Sequence, residues 1–78
     1  MTFQRTITGD FTAFRTLQSE IIAIAEDQGF AGNKLFAVKL AIEDSLIDAI
    51  KRFGTGSRLV VDAELSDSGI KLAVREAG

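Results

Sequence analysis

Hydrophobic and polar residues alternate at the start of the chain. Thr2, Gln4, Thr6 and Thr8 fall on one side, and Phe3, Arg5 and Ile7 on the other, a period of two that predicts a half-buried strand. Arg5 is the exception on the apolar side. Gly9-Asp10 ends the strand, and Asp10 is placed to cap a helix because its carboxylate can accept from the free backbone N–H groups of the first turn.

The period then changes from two to between three and four. Phe14, Leu17, Ile21, Ile24 and Gln28 are spaced 3, 4, 3 and 4, which predicts a helix from Phe11 to Gln28 with Gly29 as its left-handed terminator. Phe30 to Asn33 reads as a short connector between antiparallel helices. A second helix is predicted from Lys34 to Phe53. Its main stripe is Leu35, Val38, Ile42, Leu46, Ala49 and Phe53, and a second stripe is Phe36, Leu40, Ile47 and Ile50. One stripe can cover a sheet while the other meets the first helix or a partner chain. Lys39 and Glu43 fall between the stripes and read as a boundary ion pair. Asp44, Asp48, Lys51 and Arg52 occupy the remaining face.

After the turn Gly54-Thr55-Gly56-Ser57 the alternation returns. Leu59, Val61, Ala63 and Leu65 face one way, then Ser66 to Gly69 make a hairpin loop, and Ile70, Leu72 and Val74 mark a third strand. Acidic residues on the second strand and basic ones on the third suggest cross-strand pairs on the solvated face. The predicted fold class is α+β: a two-layer sandwich of order β-α-α-β-β, with a small antiparallel-rich sheet and two helices on one face. Residues 1–78 read as a single domain.

Composition narrows the chemistry. The 78 residues are 46% hydrophobic, and a chain this short buries only about 60–65% of the surface it exposes when unfolded, so self-association is a natural source of further burial. With no Cys and no His there is no disulfide, no thiolate nucleophile, no ordinary zinc site and no acyl-transfer triad. A net charge of −2 supplies no basic field for nucleic acid. No apolar run reaches the length of a membrane span and the first residues show no signal-peptide pattern, so the expected location is cytoplasmic.

Asp44 and Asp48 lie one helical turn apart, so their carboxylates are neighbours on one face. Such a pair can hold a hard divalent cation beside substrate phosphates, or it can be a solvated face neutralised by Lys51 and Arg52. Spacing favours the solvated face. The turn from Gly54 to Ser57 lacks the Lys and the following helix of a phosphate-binding loop, so it reads as a turn.

Taken in order, "TITGDFTAFR", "FAVKLAIEDSLIDAIKRFG" and "VREAG" resemble the N-terminal half of a histidine-kinase-like (GHKL, or Bergerat) ATPase domain, in the branch of the anti-sigma-factor serine kinases. The resemblance covers essentially the whole chain and about half of a family domain, without the ATP lid and the later Gly-rich phosphate loop. It implies that Asp44 stands at the position of the catalytic base and Asp48 at that of the Asn that holds Mg²⁺ against ATP. By the same resemblance, Glu76 is at the position of the adenine-reading Asp, and Gly78 at the first glycine of that motif.

Asp44, Asp48 and Glu76 each depart from the family pattern, while Gly78 matches it. Asp for Asn adds a negative charge beside the triphosphate, and Asp for Glu shortens the base by one methylene, a displacement near 1 Å that can cost about 100-fold in rate. The expectation is therefore a degenerate, non-catalytic interaction module with no cofactor, its inherited positions Asp44, Asp48, Glu76 and Gly78 without function. Homodimerisation or binding of a protein partner would use the edge of the third strand or the stripe Phe36, Leu40, Ile47 and Ile50. The alternative is a fragment of an ATP-binding serine kinase, with ATP and Mg²⁺ as ligands and Asp48 as the metal-side residue.

Overall fold

A computed structural model describes residues 1–77 and has the α+β architecture expected from the periodicities. The elements are β1 (Thr2–Thr8), α1 (Phe11–Asp27), α2 (Gly32–Phe53), β2 (Arg58–Ser66) and β3 (Gly69–Glu76). The three strands form one antiparallel sheet in the order β1-β2-β3, so β2 is central and both outer strands have an open edge. Registers of Phe3 with Ala63, Arg5 with Val61 and Ile7 with Leu59 place the apolar side of β1 beside that of β2. Leu72 and Val74 continue the row on β3.

Two helices cover this face. Phe14, Leu17, Ile21 and Ala25 of α1 and Val38, Ile42, Leu46 and Ala49 of α2 are buried against Leu59, Val61 and Leu65. The opposite face of the sheet is polar, and the cross-strand pairs suggested by its charges form there. Glu64 is opposite Lys71, Arg75 approaches Asp62 at 4.0 Å, and the Gln4 amide donates to Asp62 at 2.7 Å. Val60 is the one buried apolar residue on that face among the described residues.

Helix boundaries shift slightly from the expected ones. α1 begins as predicted, with the Asp10 carboxylate accepting from the Ala13 N–H at 2.8 Å. It closes one residue early, at Asp27, because the chain then turns through Gly29 at φ +93. There Gly29 N–H donates to Glu26 and Phe30 N–H to Ala25, the paired bonds of a Schellman motif, whose accompanying apolar contact explains why Phe30 is buried. Phe30 thus lies in the connector and in the core at once. α2 starts two residues before Lys34, since the Ala31 carbonyl already accepts from the Lys34 and Leu35 N–H groups.

Arg5, the exception in the first strand, is resolved by a partner fifteen residues away. Its Nε and Nη2 donate to the two carboxylate oxygens of Glu20 on α1 at 2.9 to 3.1 Å, and its Nη1 donates to the Gln4 carbonyl. Hydrogen bonding to Glu20, then its charge, raise the Arg5 pKa above the ordinary value. The guanidinium also lies 5.3 Å from the centre of the Phe3 ring. A charge on the helix-facing side of an edge strand is tolerated because it is paired and half-exposed.

At one end of the sandwich the β1–α1 turn docks onto the α2–β2 turn. Gly9 N–H donates to Ser57 O at 2.7 Å, and Gly56 N–H donates back to Gly9 O at 3.0 Å. A side chain at position 9 would begin 3.2 Å from both Ser57 O and Leu59 Cδ1, which is why glycine stands there. Ile21 is fully buried where α1 meets the core, so Ile21→Ala should cost about 2–5 kcal/mol in urea denaturation. Leu40→Ala, at a position 44% exposed in the single chain, should cost less than about 1 kcal/mol when denaturation is measured on the dilute, unassociated chain.

Candidate functional site

α2 leans over β3, and the groove between them holds one of the positions that the sequence singled out, Asp48. Ser45, Asp48, Ala49 and Arg52 line it from the helix, and Leu72, Ala73 and Val74 from the strand, around a volume of about 230 Å³. The groove exists because α2 turns Val38, Ile42, Leu46 and Ala49 into the core. Its next face, one residue around the cylinder, then runs along the open side of β3.

Only part of the expected constellation meets there. Asp48 is exposed and pairs with Arg52 at 3.5 Å, as expected for a neutralised helix face; Lys51 forms no ion pair with it among the described residues. Asp44 is exposed and lies outside the groove lining. Glu76 is exposed near the end of β3, opposite Leu59 in the register, and also outside that lining. Gly78 lies outside the described residues. No group of three or more acidic residues is placed to hold a metal ion among the described residues. The pair Asp44 and Asp48 therefore offers carboxylates in water, with no low-dielectric pocket to strengthen them.

One other expectation needs correction and one holds. Glu43 does not pair with Lys39; it is exposed and accepts from the Gln18 amide of α1 at 3.3 Å, because α1 lies on that side of α2. The turn from Gly54 to Ser57 uses its amides internally, Gly54 N–H donating to Ile50 and Gly56 N–H to Gly9, and the Ser57 hydroxyl donates to Phe53 O. It is a turn, as its sequence context indicates.

The second stripe of α2 gives a clearer surface feature. Phe36 is 59% exposed, Leu40 44% and Ile47 47%, while Ile50, grouped with them by spacing, is half-buried and packs on the core. Phe11 is 70% exposed at the start of α1, although from the sequence the Phe residues read as core. It lies beside Ile47 at a second groove of about 240 Å³, between the two helices and lined also by Phe14, Ile42, Leu46, Arg15, Gln18 and Glu43. Phe11 immediately after the Asp10 cap, one step off the Phe14–Leu17–Ile21 stripe, was the available signal.

No helix of the described residues is long and apolar enough to cross a membrane. The chain matches no family model, no curated protein and no solved structure.

Because Asp44 and Asp48 are exposed and the one ion pair between them and the helix is a surface pair, Asp44→Ala and Asp48→Ala should each change stability by less than about 0.5 kcal/mol. Urea denaturation checks this, and a loss above about 1 kcal/mol would show that the face is not merely solvated.

Proposed function

We propose that this chain is a non-catalytic interaction module, a degenerate relative of the anti-sigma-factor serine kinases, which acts by associating with a second copy of itself. The observation that carries the reading is the exposed row Phe36, Leu40 and Ile47 with Phe11 beside it, on the helical face turned away from the sheet. Single exposed apolar residues are common, but four on a domain this small, Phe36 one turn from Leu40 and Ile47 beside Phe11, mark a surface that gains by being covered. The small core adds to the argument, since the fold has only one apolar layer to stabilise it.

A second reading, ATP binding with Mg²⁺ as in a serine kinase, is favoured by one observation. The groove between α2 and β3 joins Asp48 to Val74, a residue of the segment that resembles the family's adenine-binding strand. Against it, the Asp48 carboxylate would lie beside the triphosphate as an added negative charge, and Asp44 and Glu76 do not share the groove. The interaction reading therefore takes precedence.

Light scattering separates the two. The expected result is a mass of twice 8.4 kDa that Mg-ATP does not change. Calorimetric binding of Mg-ATP in the micromolar range would overturn the non-catalytic reading, and a monomer at about 100 μM would overturn self-association.

A further inference from the structure

We infer that the second copy docks through α2 in an antiparallel, two-fold arrangement, with Phe36 of each copy entering the α1–α2 groove of the other. This arrangement rests on the self-association proposed above and specifies its geometry. The exposed face of α2 carries Phe36, Leu40, Glu43 and Ile47, spaced 4, 3 and 4, the spacing of a helix–helix seam. A projecting ring, Phe36, stands towards one end of this seam. The groove bordered by Ile47 and Phe11 stands towards the other, eleven residues or about 16 Å along the helix.

In a closed two-fold interface, residue i meets j and j meets i. A ring at one end and a groove at the other are mutually satisfied only when the helices run in opposite directions. A parallel pairing would set ring on ring and groove on groove. The antiparallel register that brings Phe36 against the other copy's Ile47 also brings Leu40 against the aliphatic stem of the other copy's Glu43.

Charge supports the same register. Lys39 and Glu43 lie towards the α1-facing flank of the seam, and antiparallel helices related by a two-fold axis meet like flank to like flank. Lys39 of each copy thus comes within reach of Glu43 of the other, twice over. Neither has an ion pair within its own chain among the described residues, and Glu43 only accepts from a neutral amide at 3.3 Å. The groove itself carries Arg15 and Glu43, one charge of each sign, so it offers no net charge to the entering ring.

The test uses the whole chain and begins with charge reversal at two exposed positions, with circular dichroism to show the fold retained. Lys39→Glu alone and Glu43→Lys alone each place like charges across the seam twice and should weaken self-association by about tenfold or more. An equimolar mixture of the two variants should recover the dimer mass as a heterodimer, which an effect confined to one helix would not produce. The chain has no Cys, so a single spin label on Lys51→Cys reports the orientation directly. The antiparallel register separates the two labelled positions by about 28 Å along the helices, whereas a parallel pair would bring them to about 10 Å. A wild-type dimer that both charge variants leave intact, or a label distance near 10 Å, would overturn this arrangement while leaving self-association standing, with the β3 edge as its route. A wild-type monomer at about 100 μM would overturn both proposals and leave the stripe for a different protein.

Discussion

Leu59 and Val61 on the central strand are almost completely shielded from water, and neither the strand nor its neighbours can do this alone. One face of the three-stranded sheet has to be covered, and among the described residues two helices with matching apolar stripes cover it. That single layer organises the rest. It dictates which side of α1 and α2 points inward, puts α1 on the β1 side and α2 over β3, and leaves the outer faces of both helices to solvent. Hydrophobic burial of this kind has no direction of its own, so the alignment of the layers comes from more specific contacts at its margins.

Two such contacts are evident. The reciprocal backbone bonds between Gly9 and the Ser57 turn fix one end of the sheet to the loops that carry the chain into and out of the helices. Arg5 and Glu20 tie the edge of β1 to the middle of α1, with a forked geometry that allows little sliding. The Schellman turn at Gly29 then reverses the chain and buries Phe30, so that α2 returns antiparallel to α1. Each contact is small beside the core, yet together they select one packing from several that would bury similar area.

What the core consumes determines what is left for function. α2 uses Val38, Ile42, Leu46 and Ala49 inside and leaves two outward faces of different character. The face beside β3 holds Asp48 and Arg52, charges that are well hydrated and paired with each other. The face away from the sheet holds Phe36, Leu40 and Ile47, apolar groups in contact with water. In water the first face has little to gain from a partner and the second has much, which is why association, and not the acidic pair, leads the functional reading.

Periodicity by itself determined the order of elements, the apolar stripes and the capping of α1 by Asp10, because these depend on neighbours within one or two turns. It also separated Asp44 and Asp48 from the core, since their spacing puts them off the buried stripe. Residues whose environment is made by distant segments were beyond it. Arg5 was an anomaly until Glu20 lay across from it, and Glu43 read as the partner of Lys39 until α1 presented Gln18 instead. The same holds for the candidate site: that Ile50 turns inward while Phe11 joins the exposed row was decided only when the two helices packed, because exposure belongs to the assembled layers and not to any one helix.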